Sequence, residues 1–153
     1  MANRIVFSSH QEGLKSAWPA GIAFPDDWKV GSWRDCIETS RYTAFVFTSE
    51  NPTSNELEEL RRAGNAMAVK YHGANAFGLV ESHMPEVEVS TSHLESLKAF
   101  HEGFILGQYR FKLGQERPAA QSPQWPDSLT NDMHAVSTLC ESVFWARDLV
   151  NLP

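Results

Sequence analysis

The chain has 153 residues, of which 42% are hydrophobic and 21% are charged, and its formal net charge is −6. This size and composition are typical of one globular domain with a sizeable core. The longest basic run is Arg61-Arg62, which argues against nucleic acid and membrane surfaces as partners, because both attract clustered Lys and Arg.

Several further features bear on where the protein acts. No apolar stretch approaches the roughly 20 residues that span a bilayer. The first residues lack the apolar core of a signal peptide. Cys36 and Cys140 lie far apart, so neither a disulfide framework nor a thiolate metal site is expected. Together these features predict a reduced, cytoplasmic protein.

Strands are predicted from short runs of β-branched and aromatic residues. Residues 4–9 form the first such run. Residues 42–49 form the clearest one, with the continuous apolar character of a strand inside a mostly parallel sheet. Residues 21–24 are a weaker candidate, and residues 77–82 and 86–90 are two more. The chain is therefore expected to contain several strands, separated by helical segments.

Four tryptophans fall in loop-like segments, and two explanations remain open for them. Large aromatic side chains in loops often anchor interfaces. In a small domain they also cover the open edges of the core. The residues concerned are Trp18, Trp28, Trp33 and Trp125.

Three amphipathic segments predict helices. The first begins after Thr53, which has capping-box spacing to Glu56, and the second begins at Ser92, with the same spacing to Glu95. The third begins near residues 131–132. Its predicted apolar stripe consists of Val136, Leu139, Cys140, Val143 and Val150.

A proline-bearing segment at residues 114–132 separates the last two helices. Its three prolines and few apolar side chains predict an exposed loop, in which a short edge strand near residues 128–130 is one alternative. Strands that alternate with amphipathic helices are typical of a layered α/β domain with a mostly parallel mixed sheet. We therefore expect this fold class.

The histidines and glycines do not assemble a known site. Residues 101–105 begin like the zinc-binding helix motif of metalloproteases, but Ile105 stands where the second histidine is required. His93 and His101 lie two helical turns apart, and we expect them to be solvated or locally hydrogen-bonded. Residues 72–78 are a glycine-bearing candidate for a phosphate loop, but they follow a helix and do not precede one.

Neither cysteine is predicted to be catalytic. Cys140 lies on an apolar helix stripe and is expected to be a small core residue. Cys36 lies beside Arg34 and Asp35, and one adjacent cation is weak evidence for a reactive thiolate. We therefore predict no catalytic, cofactor-binding or metal-binding residue in this chain.

Two stretches resemble the leucyl aminopeptidase (cytosol aminopeptidase) family. Residues 146–153, ARDLVNLP, are similar to the helix and turn that join the two domains of that family. Residues 102–115, EGFILGQYRFKLGQ, are similar to its Glu-Gly and Leu-Gly-x-Tyr-x-Phe helix end. An Asn-x-Pro stop normally introduces further structure, so we expect residues 146–153 to lead into another domain.

The resemblance implies a fold and the presence of two domains, of which only one is catalytic. It implies a three-layer α/β/α sandwich, related to the macro domains. Residues 1–145 would form a non-catalytic N-terminal domain, and residues 146–153 would begin the connection to a catalytic domain. That catalytic domain would hold two divalent metal ions, zinc or manganese, and would release N-terminal amino acids from peptides with a metal-activated water. The implied partners are this domain and further copies of the chain, which form a hexamer in the family.

The positions that match the family have structural roles in this resemblance. Glu102 belongs to the motif, Gly103 and Gly107 allow close helix packing, and Tyr109 and Phe111 anchor the core or an interface. The connection itself consists of Arg147, Asp148, Leu149, Val150, Asn151 and Pro153.

Two other functions remain open. The fold is also compatible with a free-standing macro-like module that binds a nucleotide or ADP-ribose, for which a phosphate-cradling glycine loop is needed. A third hypothesis is an orphan subunit that acts by association with a separate catalytic chain. The aminopeptidase-domain hypothesis predicts that this chain alone has no peptidase activity.

Overall fold

The computed structural model describes residues 2–90, 92–111 and 113–152. Strands and helices alternate along most of the chain. In order, the elements are β1 (Arg4–Ser8), α1 (Gln11–Ala17), β2 (Trp33–Glu38), β3 (Arg41–Phe47), α2 (Ser54–Ala76), β4 (Glu86–Val89), α3 (Leu94–Leu106), a 3-10 helix (Asp127–Leu129) and α4 (Thr130–Asn151). The predicted α/β class is confirmed.

The four strands of the described residues form one mixed sheet in the order β2-β3-β1-β4. β1 runs parallel to both of its neighbours, so that Ile5 lies between Ala44 of β3 and Val87 of β4. β2 pairs antiparallel with β3. The predicted mostly parallel mixed sheet is therefore confirmed, and β2 is its antiparallel edge strand.

Helix α2 begins as its sequence predicts. The Thr53 hydroxyl accepts a hydrogen bond from the Glu56 N–H, and the Glu56 carboxylate accepts one from the Thr53 N–H. This reciprocal capping box satisfies backbone donors that the first helical turn leaves unpaired. Leu60, Met67 and Tyr71 lie on the buried face of the helix, at the spacing that an amphipathic helix requires.

The two faces of the sheet are covered in different ways. On one face, α2 and α3 pack against β1 and β3, with Phe7, Tyr42 and Phe100 fully buried between them. On the other face, α1 and an aromatic segment cover the sheet, and the Trp18 ring centroid lies 4.6 Å from that of Phe45. The second covering layer is therefore one short helix and a cluster of aromatic rings.

All four tryptophans pack against the core, and the loop placement of Trp33 is wrong, because it is the first residue of β2. Trp28 is buried, and Trp18 and Trp33 are partly buried against core clusters. Trp125 stacks on Phe7 with ring centroids 5.7 Å apart. The explanation that these side chains cover the open parts of the core is therefore confirmed for this chain.

Two predicted strands are wrong. Residues 21–24 and residues 77–82 form turns and bends. Gly21 and Gly78 have φ angles of 84° and 70°, a left-handed conformation that reverses the chain and ends extended structure. Phe24 packs edge-on against an aromatic neighbour instead of entering the sheet. Both segments are therefore connections.

The predicted start of α3 is also wrong. The helix begins at Leu94, and His93 is the N-cap, with its ring Nδ1 accepting a hydrogen bond from the Glu95 N–H at 3.2 Å. The Ser92 hydroxyl instead lies 2.7 Å from the hydroxyl of Thr48. Ser92 therefore links the segment after β4 to the end of β3, and the neighbouring His93 caps the helix.

The proline-bearing segment is anchored to the sheet. The Val87 N–H donates to the Gln124 carbonyl at 2.9 Å, and the Gln124 N–H donates to the Pro85 carbonyl at 2.8 Å. Residues 128–130, where a short edge strand was an alternative, instead form part of a helical turn that leads into α4. The strand alternative is wrong there, because the pairing with β4 is made by Gln124.

Candidate functional site

The two stretches that resemble the aminopeptidase family meet beyond the end of α3, on the last turns of α4. The Tyr109 ring stacks on Phe144 with centroids 5.4 Å apart. Its hydroxyl donates to Asp148 Oδ1 at 2.9 Å. Asn151 Nδ2 donates to the Tyr109 oxygen at 3.3 Å and to the carbonyl of Arg147 at 2.9 Å. Side chains of both stretches therefore share one cluster.

Arg117 completes the cluster from the proline-bearing segment. Its Nε donates to Asp148 Oδ2 at 3.2 Å, and its Nη1 lies 3.4 Å from Glu141 Oε2. Its guanidinium carbon lies 4.7 Å from the ring centroid of Phe144. We call Tyr109, Arg117, Glu141, Phe144 and Asp148 the clasp, because they hold the segment after α3 against α4.

The clasp is built to hold a helix end in place. Only 15% of the Arg117 side chain is exposed, and a mostly buried cation is stable only when carboxylates compensate its charge. The two oxygens of Asp148 accept from different partners, Tyr109 and Arg117. The clasp therefore fixes the orientation of the last turns of α4.

The remaining residues of the predicted connection lie on the outside of α4. The helix continues to Asn151, and Leu149 and Val150 are exposed. Pro153 lies outside the described residues. Phe111 is half-buried and lines a cavity of about 220 Å³, together with side chains of the clasp. The residues of the predicted connection are therefore helical through Asn151, and Leu152 is extended.

Glycines bring α2 and α3 into backbone contact. A Cβ atom on Gly103 would lie 1.9 Å from the Arg61 carbonyl oxygen, and one on Gly64 would lie 2.1 Å from that of Phe100. A Cβ atom on Gly107 would lie 2.9 Å from the Asn65 carbonyl oxygen of α2. Glu102 accepts a hydrogen bond from Arg61 Nε at 3.0 Å across the same crossing. These motif positions therefore lie at the closest approach of two helices.

The predicted apolar stripe of α4 is only partly buried. Val136 and Cys140 lie in a core cluster, as predicted. Leu139 is 69% exposed and Val150 is 84% exposed, because α4 packs on α3 and does not lie between two layers. We call the exposed apolar side chains of this helix, together with Leu152 directly after it, the α4 outer surface: Leu139, Val143, Trp145, Leu149, Val150 and Leu152.

A groove between α2, α3 and α4 adjoins this surface. It has a volume of about 210 Å³, and its lining combines apolar side chains, among them Val136, Leu139 and Val143, with the charged side chains of Arg61, Glu95, Lys98 and Glu102. Cys140 also lines it, and burial raises the pKa of this thiol to about 11. The thiol is therefore protonated and unreactive at neutral pH.

His101 is fully buried and hydrogen-bonded, so of the two states expected for it the solvated one is excluded. Trp125 Nε1 donates to its Nδ1 at 3.1 Å, and its Nε2 lies 2.8 Å from the Ser137 hydroxyl. Since Nδ1 accepts, Nε2 carries the proton and cannot take one from Ser137. Burial lowers the His101 pKa to about 4. The pair is therefore a structural link between α3 and α4, and not a nucleophile with its base.

Residues 72–78 do not form a phosphate loop, because α2 extends through most of this segment. The carboxyl ends of parallel strands are the usual ligand site of open α/β sheets. Here a Cβ atom on Gly13 would lie 2.4 Å from the Ser8 hydroxyl, so protein atoms fill the space between β1 and α1.

Comparisons with known proteins give one distant structural likeness. No family model matches the chain, and no curated protein matches it. The solved structure of "Bottromycin maturation enzyme BotP" superposes with a TM-score of 0.57 at 15% sequence identity, over 99% of this chain and 33% of that chain. The chain thus spans about a third of the length of that enzyme, and the two share a fold.

Two features are absent from residues 2–90, 92–111 and 113–152. No group of three or more His, Cys, Asp or Glu side chains is placed to hold a metal ion in these ranges. No helix of the same residues combines the length and apolar character of a membrane span.

Proposed function

We propose that this chain is the non-catalytic N-terminal domain of a leucyl aminopeptidase-like metallopeptidase of the cytoplasm. In this proposal the domain packs on a catalytic domain that holds two zinc or manganese ions and removes N-terminal residues from peptides. The domain's own work is docking, oligomerisation or regulation. The observation that carries the proposal is the α4 outer surface beside the clasp.

The α4 outer surface has the properties of a docking site. Exposed apolar side chains scattered over a monomer are normal, but a contiguous patch on one element marks a surface that another element covers. Trp145 is 67% exposed on this surface, and tryptophan is enriched among the residues that anchor interfaces. Because the clasp fixes the orientation of the helix end, the surface is pre-organised for a partner.

The structural likeness is compatible with this role. The chain matches a third of a protein whose name describes a maturation enzyme. A domain of this fold therefore occurs beside a larger part in at least one enzyme chain. The peptidase assignment itself rests on the resemblance of the two motif stretches, which contribute Tyr109 and Asp148 to the clasp and Gly103 to the glycine crossing.

Hydroxyl-radical footprinting tests the docking role. The 153-residue chain is compared with the native protein isolated from its source cells, and oxidation is measured for Trp145, Leu149 and Val150. We expect strong oxidation of all three in the 153-residue chain and strong protection in the native protein. Phe77, which is 84% exposed at the end of α2, is the internal control. Equal oxidation of the α4 residues in both samples would refute docking on this surface.

An activity assay tests the assignment of catalysis to another domain. The chain alone is incubated with leucine anilide in the presence of zinc or manganese. We expect no hydrolysis above the metal-only control. Hydrolysis that increases with the concentration of the chain would overturn the proposal, because this domain would then contain the active site itself.

A further inference from the structure

Strand β2 leaves one edge of the sheet open. Among the described residues it pairs with β3 alone, and the sheet order places it at the end. An unpaired edge presents a row of backbone donors and acceptors that fits another extended strand. The side chains of β2 are half-buried or exposed along its whole length, and Ile37 is 41% exposed.

The hydrogen bonds to β3 show which backbone groups point away from the sheet. The Phe47 N–H donates to the Ser32 carbonyl at 3.1 Å, so Ser32 faces β3. Backbone groups of successive residues face alternate sides of a strand. The N–H and C=O groups of Trp33, Asp35 and Ile37 therefore face outward.

The charges of β2 are complementary to those of an antiparallel copy in one register. If a two-fold axis passes through Cys36, Arg34 of each copy lies opposite Glu38 of the other, and opposite charges in cross-strand pairs stabilise a sheet. An axis through Asp35 instead places two aspartates opposite each other. An axis through Ile37 pairs neither Arg34 nor Glu38 with an opposite charge.

The same register matches the outward backbone groups. With Cys36 on the axis, Asp35 of one copy lies opposite Ile37 of the second copy, and both residues carry outward N–H and C=O groups. Such a pair exchanges two hydrogen bonds in an antiparallel ladder. The carboxylate of Asp35 is already paired with Lys70 of its own chain at 2.6 Å, so the pairing buries no uncompensated aspartate.

We propose that β2 pairs antiparallel with β2 of a second copy of this chain, with Cys36 at the two-fold axis and Arg34 opposite Glu38. The two four-stranded sheets become one continuous sheet. On pairing, Arg34 exchanges its contact with the Trp33 carbonyl for the carboxylate of the second copy. Since the ladder is short and its ion pairs are exposed, the dimer is weak and concentration-dependent.

Exchanging the charges of Arg34 and Glu38 by substitution tests the pairing. Sedimentation velocity of the 153-residue chain is measured over a wide concentration range for the wild type, Arg34→Glu, Glu38→Arg and the double variant. We expect each single substitution to weaken dimerisation about tenfold or more and the double variant to restore it. Arg62→Glu, which makes the same change in net charge at an exposed site on α2, is the control and leaves the dimer unchanged.

Cross-linking provides a second readout at the axis. In a Cys140→Ala background, diamide oxidises the two Cys36 thiols to a disulfide and is itself reduced. In this register Cys36 of one copy lies opposite Cys36 of the other at a non-hydrogen-bonded position, where the two Cα atoms are about 4.5 Å apart. This distance is within the range of a disulfide. We expect a covalent dimer, whose yield falls in Arg34→Glu.

The β2 pairing does not rest on the proposed function, and the experiments can refute either one without the other. A monomeric wild type, or a double variant that fails to recover, refutes the β2 pairing and leaves the docking role of α4 intact. If the peptidase proposal is refuted, the expected dimerisation is unchanged, because the pairing requires only strand β2 at the edge of the sheet.

Discussion

Replacing Gly103 by alanine tests the close crossing of α2 and α3. The added Cβ would lie 1.9 Å from the Arg61 carbonyl oxygen and 2.7 Å from its carbon, well inside any tolerated contact. The obstacle is helix backbone, which cannot rotate away as a side chain would. The helices must therefore separate by roughly 1 Å or more, which loosens the packing of Phe100.

The expected magnitude combines two opposing effects. Overpacking a core costs about 1–3 kcal/mol, and more where backbone must move. Alanine gains about 1 kcal/mol over glycine in a helix interior. We therefore expect Gly103→Ala to lower the free energy of unfolding by about 2 kcal/mol, which corresponds to a decrease in melting temperature of about 4–8 °C for a chain of this size.

The matched control is Gly73→Ala, because a Cβ atom on Gly73 has no neighbour within 4 Å. It lies in the last turn of α2, where the preference for alanine is smaller than in a helix interior, so alanine should stabilise the protein by about 0.5 kcal/mol. Urea denaturation monitored by circular dichroism measures both variants. If Gly103→Ala is as stable as Gly73→Ala, the backbone contact between the helices does not exist and the reasoning is refuted.

Three further predictions concern other parts of the fold. Since the His101 pKa is about 4 when folded and about 6.5 when unfolded, its contribution is complete above pH 6.5 and is lost as the pH falls toward 4. Urea titrations should show a His101 contribution to this loss of about 2 kcal/mol between pH 7.5 and pH 5, so the loss should be smaller by that amount in His101→Gln and unchanged in the exposed control His134→Gln. Thr39 and Ser40 form the β2–β3 turn at φ angles of 48° and 62°, so their joint replacement by Asn and Gly should stabilise by about 1 kcal/mol; an unchanged melting temperature would contradict this. Arg117→Met removes the cation between two carboxylates of the clasp and should destabilise by about 2 kcal/mol, whereas an unchanged urea midpoint would show that the clasp contributes nothing.

The long apolar elements of the fold can be predicted from the sequence, but two short elements cannot. β3 is buried along its length, and its continuous apolar run predicts this. β2 carries Arg34, Asp35 and Glu38, which have low strand propensity, and it forms because β3 offers an edge and the turn brings it there. α1 is seven residues long and has no side-chain cap, so tertiary packing of Leu14 holds it in place.

The sequence predicts only some residues of the candidate site. The motif stretches point to Tyr109 and Asp148, and the structure brings these side chains together. Arg117 was missed, because it lies in an irregular segment where no periodicity relates it to α4. The signal that could have found it is a lone cation in a loop opposite acidic residues spaced along one helix. The apolar pattern of α4 also predicts that Val150 is buried, but Val150 is exposed. The pattern continues to this residue although α3, on which α4 packs, has already ended.

The size of the native polypeptide tests the central claim most directly. An antibody raised against this chain is used to detect the protein in its source cells, and its mass is compared with the 17.2 kDa of these 153 residues. If a catalytic domain covers the α4 outer surface, we expect a band whose mass corresponds to a polypeptide of several hundred residues. A band at 17.2 kDa would contradict the account, because no further domain would then be attached to this one.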